Sequence, residues 1–233
     1  MIVTDIDLSH HIRKVATIAQ KLDLDLHHGT RESLSVSAEL KKLCKTSPYY
    51  REVYDYISTY NQYNLMLKDQ ACFQFSESRN RRNEQELRYA YYPNPYQFVE
   101  FKKEVKSIQD LFETGELSSE EYEQLINEAE FVLDIPLIRY DYTPSQYEEK
   151  FHPASHFHIG FHSENRWPVQ RILNPSIFFI KIISMYYSDS WKKNFDVYPE
   201  KTLNDLYSEV KNESYNVSTD YWGVEDNKRL LFF

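Results

Sequence analysis

The sequence predicts an α+β fold, a small antiparallel sheet of about four strands packed on helices, with a helical N-terminal region. Three observations carry this. Apolar residues recur at helical spacing near both ends of the chain, and aromatic stretches in the middle alternate with polar residues as strands do. The run "SIFFIKIISMYY" is apolar nearly all round, as a helix buried against a sheet must be.

In chain order, residues 5–22 carry Ile12, Val15, Ala19 and Leu22 on one helical stripe, and "SPYYREVYDYISTYNQY" places Tyr49, Val53, Tyr56, Ile57 and Tyr60 on another. The Ser-rich "RESLSVSAELKKL" between them is ambiguous. In "ACFQFSES", Phe73 and Phe75 alternate with Gln74 and Ser76; with "ELRYAYY" and the polar "RNRRN" connection this predicts a hairpin. A helix follows with Phe98, Phe101, Val105, Ile108 and Phe112, stopping at Gly115, and a second opens with a Ser118-x-x-Glu121 capping pattern. "IPLIRYDYT" and "SHFHIGFH" then alternate as two more strands. Asn174 as cap and Pro175 at the first helical position introduce the apolar helix. A shorter amphipathic helix near "TLNDLYSEV" and a tail ending "LLFF" complete the chain.

No repeat, low-complexity tract or Gly/Ser-rich linker divides these segments, so residues 1–233 are expected to form one domain. Within it, 1–66 is a mainly helical N-terminal part, 67–190 the α+β core and 191–233 the C-terminal helix and tail. No apolar run approaches the roughly 20 residues of a membrane-spanning helix, and "MIVTDIDLSHHIRK" lacks the pattern of a secretory signal. The expected location is the cytoplasm, with no membrane partner.

Composition excludes several classes of mechanism. Four glycines, Gly29, Gly115, Gly160 and Gly223, cannot build a dinucleotide-binding turn or a P-loop. Two cysteines, Cys44 and Cys72, are too few for a thiolate zinc site and read as small buried apolar residues. A net charge of −9 opposes non-specific binding along a nucleic-acid backbone, so any RNA or DNA contact must be local. Arg79, Arg81, Arg82 and Arg88 cluster, and Arg166, Arg171, Lys192 and Lys193 form a thinner group. A solvated loop accounts for the first cluster; nucleic-acid contact through Arg79, Arg81 and Arg82 is the functional alternative.

Four of the eight histidines, His152, His156, His158 and His162, fall in "FHPASHFHIGFHSENRWP". On a strand, Phe157, Ile159 and Phe161 point one way and His156, His158 and His162 the other. Ile138, Tyr140 and Tyr142 of the preceding strand would face the core, leaving Arg139 and Asp141 to join the histidines across an antiparallel pair. Helices would cover one face of the sheet, and a groove would lie on the other. Gly160 sits between two histidine positions, where glycine marks a bulge or the close approach of a ligand.

Several readings share these residues. A His-x-His pair with Asp141 supplies enough ligands for an open metal site, although no tightly held metal or other cofactor is expected. Metal-independent phosphodiester cleavage would use His156 and His158 as base and acid, with Asp141 beside them among the catalytic residues, Arg139, Arg166 or Arg171 against charge on phosphorus, and His162 and Gly160 on the substrate side. A pocket without catalysis, and a solvated histidine row, remain open. "HIGF" is also a nucleotide-binding signature of class I aminoacyl-tRNA synthetases, but here it lies two-thirds along a short, glycine-poor chain.

The run "ASHFHIGFHSENRWPVQRILNPSIFFIKIISMYY" resembles an uncharacterised bacterial family classed as a domain of unknown function, with an H-x-H-I-G strand followed by an N-P-capped apolar helix. The resemblance is strongest over residues 135–190. It implies a bacterial, cytoplasmic protein, and families of this kind often sit in gene clusters concerned with defence or toxin control. The expected function is nucleic-acid handling within a bacterial complex, as a metal-independent ribonuclease, or alternatively as a non-catalytic interaction subunit with a protein partner.

Overall fold

The computed structural model describes residues 5–97, 99–129, 136–161, 164–193 and 203–230. Its centre is an antiparallel sheet of seven strands, arranged in sequence order. These are β1 (Asp25–His28), β2 (Leu65–Leu67), β3 (Cys72–Arg79), β4 (Gln85–Tyr92), β5 (Ile138–Tyr142), β6 (Ser155–Ile159) and β7 (Trp167–Pro168). β8 (Arg171–Ile172) and β9 (Tyr215–Asn216) form a separate two-stranded pair. The α+β class with an antiparallel sheet is as expected, but the sheet exceeds the expected four strands. The additional strands β1, β2 and β7 are two to four residues long, too short for an alternating pattern to register.

The hairpin of β3 and β4 is the longest pairing, with Cys72 opposite Tyr92 at one end and Arg79 opposite Gln85 at the other. Its turn is set by Asn80, whose side-chain oxygen accepts from the amides of Arg82 and Glu84, and by Asn83, held at a φ of 62°. Alternation then sends Phe73, Phe75, Tyr89, Tyr91, Tyr140 and Phe157 to one face.

Helix α1 (Leu8–Lys21) lies on that aromatic face, capped by the Asp7 carboxylate. So does the apolar helix, α6 (Pro175–Tyr186 by chain order). Asn174 caps α6 through the Ile177 amide at 2.9 Å, as the Asn-Pro pair predicts. Phe178 is fully buried, edge-on to Phe73, Phe75 and Tyr89 and stacked on Phe157. Tyr140 fixes this layer from below: its hydroxyl accepts from the Leu173 amide at 2.9 Å and bonds Ser155.

The opposite face is not free of helices, contrary to expectation. Helices α2 (Ala38–Thr46) and α3 (Tyr50–Thr59) pack a second apolar cluster over Cys72, Ala90, Tyr92 and Leu137. The buried stripe of α3 is Tyr50, Val53, Tyr54 and Ile57, whereas Tyr60 is 61% exposed. Helical spacing fits the expected stripe and this one equally well. Backbone acceptors distinguish them, because the Tyr50 hydroxyl reaches the Pro93 carbonyl and the Tyr54 hydroxyl that of Gln70.

Between β4 and β5 the helices α4 (Val99–Glu113) and α5 (Ser119–Ala129) pack on each other around Ile108 and Ile126. Gly115, at a φ of 77°, ends the first helix, and Ser118 and Glu121 form the reciprocal capping box. Helices α7 (Ser188–Lys193), α8 (Leu203–Asn212) and α9 (Val224–Leu230) complete the described chain. Phe98 and the final "LFF" of the tail lie outside the described residues. Among those residues no helix is long and apolar enough to cross a membrane.

Phe178→Ala should destabilise the chain by about 3–5 kcal/mol in urea unfolding. Ile159→Ala should cost under about 1 kcal/mol, because Ile159 is 43% exposed rather than buried as its alternation suggested. His11 is buried between α1 and α6, with its Nδ1 3.2 Å from the Ser176 hydroxyl and 3.8 Å from the Glu213 carboxylate. Burial lowers its pKa to about 4, with Glu213 and Asp7 opposing the shift and His10 and Lys14 aiding it. The unfolded chain therefore takes up this proton near pH 6.5 and the folded chain only near pH 4. Stability from this group is full above pH 6.5 and falls as the pH drops toward 4. His11→Gln should reduce the stability lost between pH 7 and pH 5 by roughly 1–2 kcal/mol, measured as urea midpoints at the two pH values; an unchanged difference would contradict the assignment.

Candidate histidine–carboxylate site

The pairing of β5 with β6 sets Asp141 opposite His156 and Arg139 opposite His158. β4 adds Arg88 on the far side of Asp141. The pleat turns all five side chains to the same face, away from Tyr140 and Phe157. The sequence expectation that a carboxylate and a guanidinium join the two histidines across adjacent strands is therefore what the fold produces.

The geometry is tight. His156 Nε2 and His158 Nε2 are 3.0 Å apart, and His158 Nε2 is 3.5 Å from Asp141 Oδ2. Arg88 Nε donates to the other carboxylate oxygen, Oδ1, at 2.8 Å. His156 Nδ1 lies 2.8 Å from the Pro153 carbonyl. A carbonyl only accepts, so Nδ1 carries the proton, and in the neutral ring Nε2 is left as a bare lone pair.

This face is buried rather than an open groove: His156 is 1% exposed, and His158 and Asp141 are each 6% exposed. The chain before β6 folds back so that His152 packs edge-on against His156, ring centroids 4.9 Å apart. Phe161 also departs from its expected side. Gly160 takes a φ of 97° just past the end of β6, and Phe161 packs edge-on against Tyr50 in the second apolar cluster. Strand alternation stops where that glycine turns the backbone.

Burial and charge fix the protonation states. For Asp141, burial acts to raise the pKa, but the hydrogen bond from His158 and the charges of Arg88 and Arg139 outweigh it and hold the carboxyl well below the usual range. Burial, reinforced by His158, lowers His156 to about 4. Burial, then Arg166, lowers His152. At neutral pH the site thus presents the neutral imidazoles of His152 and His156 beside an ionised carboxylate. Four buried nitrogens around it have no hydrogen-bond partner: Arg139 Nε, His152 Nδ1, His158 Nδ1 and Arg166 Nε.

The remaining sequence-derived residues lie elsewhere. Arg171 sits on β8, its guanidinium donating to the Lys211 carbonyl and to Ser214. Its carbonyl accepts from Ser155 on the aromatic side of the sheet, so it is not brought to the histidines. Arg79, Arg81 and Arg82 are at the β3–β4 turn, where Arg79 pairs with Asp5. All three line a cavity of about 560 Å³ with Glu84, Glu86, Tyr147 and Tyr221; the histidines do not. His162 lies outside the described residues. Two contributors were not singled out as site residues from sequence. Arg88 was grouped with the loop arginines although it alternates with Leu87 and Tyr89, which marks it for the outward face. His152 precedes the strand, so alternation gave it no direction.

No curated protein and no solved structure matches this chain. The family model described as "Uncharacterized conserved protein (DUF2290)" matches residues 20–226, which includes every residue of this site. The chain belongs to that family of uncharacterized conserved proteins.

Proposed function

We propose that the chain handles nucleic acid within a bacterial complex of the defence or toxin-control type, and that it cleaves a phosphodiester at the histidine face. One observation carries the reading: Arg88, Arg139 and Arg166 gather around the neutral imidazoles of His152 and His156 and the ionised carboxylate of Asp141. Phosphodiester cleavage needs a nucleophile relieved of its proton and cations facing the charge that grows on the phosphoryl oxygens. The imidazoles serve the first need. Arg139 and Arg166, each with a buried Nε that has no partner, serve the second.

The geometry changes how the histidines divide the work. Two imidazoles with Nε2 atoms 3.0 Å apart leave no room for a phosphorus between them. They act together on the nucleophile rather than as base and acid on opposite sides. His152, edge-on to His156, is placed to receive the proton that the pair takes from the nucleophile and to pass it to the leaving oxygen. Gly160 leaves the backbone beside His158 without a side chain where a substrate approaches. The hairpin arginines, roughly 10–15 Å from Arg88 along β4, offer a second local contact to an extended strand.

A non-catalytic interaction subunit is the second reading, favoured by one feature. Ile159 and Trp167 are 43% and 48% exposed on the aromatic face at the β6–β7 edge, where they form an apolar surface.

The test is cleavage of labelled single-stranded RNA and DNA by untagged protein, assayed with and without added divalent cation. Arg139→Ala should lower the rate roughly 10²–10³-fold while leaving the urea midpoint nearly unchanged. Binding of single-stranded substrate should weaken with salt at a log–log slope of about −2, as expected for about three phosphate contacts. Absence of cleavage in the wild type, with partner binding lost in Trp167→Ala, would establish the interaction reading instead.

A further inference from the structure

We propose that His156 Nε2, His158 Nε2 and Asp141 Oδ2 form a binding site for one divalent first-row transition-metal ion. The three ligand atoms lie within 4.8 Å of one another, and all three residues are buried. The individual separations fit a shared ion. Ligands about 2.0–2.1 Å from a tetrahedral centre stand roughly 3.3 Å from each other. Here the two nitrogens are 3.0 Å apart, and the His158 nitrogen is 3.5 Å from the carboxylate oxygen.

Donor accounting points the same way. With the His156 Nδ1 proton committed to Pro153, its Nε2 offers only a lone pair, and Asp141 Oδ2 offers only lone pairs. Both face His158 Nε2, which can carry at most one proton. Two acceptors thus converge on a single possible donor in a buried site, and a cation satisfies all three atoms at once. The surrounding contacts are those that orient metal ligands. The Pro153 carbonyl fixes the His156 tautomer and ring, and Arg88 occupies Oδ1 so that Oδ2 is the oxygen turned inward.

Two imidazoles and a carboxylate suit zinc, iron(II) or manganese(II), and neither cysteine belongs to the set. Three protein ligands leave at least one coordination position for water or substrate. This is the opposite of the expectation from sequence, where alternation could align the residues but gave no distances. The proposal concerns the residues of the phosphodiester reading and alters their role there: an ion held by both Nε2 atoms would act on the nucleophile in place of free imidazole bases, whether or not the substrate is nucleic acid.

The test is calorimetric titration of untagged, chelator-stripped full chain with Zn²⁺ and, in parallel, with Mn²⁺. One equivalent of at least one ion should bind and raise the melting temperature by several degrees. His158→Ala and the near-isosteric Asp141→Asn should each lower affinity at least about 100-fold, since loss of an outer-shell partner alone costs 10–100-fold. His10→Ala, on the exposed side of α1, should bind as the wild type does. No binding of either ion by the wild type would overturn the proposal, as would undiminished affinity in folded Asp141→Asn. Metal uptake without nucleic-acid cleavage would remove the phosphodiester reading alone. Cleavage by a chain that takes up no metal would remove this proposal alone.

Discussion

The register between β5 and β6 is the constraint on which the rest of the structure depends. Asp141 against His156 and Arg139 against His158 sets the charged and imidazole side chains of these strands on one face and Tyr140 and Phe157 on the other. A slip of one residue would turn the imidazoles and carboxylate into the aromatic core and bring the rings out. The penalty on both faces, unpaired buried charge on one and lost burial on the other, makes the observed register the only stable one. Tyr140 reinforces it from the core side, where its hydroxyl joins Ser155 of β6 to the Leu173 amide just before α6.

The two faces of the sheet serve different ends. On the aromatic face, α1 and α6 close a core in which Phe178 meets four rings from three strands. On the other, α2 and α3 cover the β2–β4 side with apolar contacts, while the β4–β6 side carries Arg88, Asp141, Arg139 and both histidines. Keeping an ionised carboxylate there requires the compensation that Arg88 and His158 provide. A buried polar cluster with four unpartnered nitrogens is costly for a fold that uses it only as filler.

Much of this was legible in the sequence because it depends on local periodicity. The helices α1, α4, α5 and α6, the β3–β4 hairpin and the facing of Arg139, Asp141, His156 and His158 all follow from spacings of 3.6 or 2. Periodicity fails where an element spans no more than one or two repeats, hence the unseen β1, β2 and β7. It also fails where a backbone turn breaks it, hence Phe161 beyond Gly160. It carries no information on what covers a face, so a groove is the sequence expectation for histidines that are buried and packed on by the fold-back at His152. Arg171 shows the same limit: proximity in sequence to Arg166 did not place it on the same side of the sheet.

The central claim is that this register presents a lone pair of His156 Nε2 to His158 and Asp141, with the proton held on Nδ1 by Pro153. Long-range ¹H–¹⁵N correlation spectra of the imidazoles, assigned by comparison with a His156→Gln variant, report this tautomer directly. The account predicts a neutral His156 at pH 7, protonated on Nδ1 and bare on Nε2. A ring protonated on Nε2, or one carrying both protons at that pH, would contradict it.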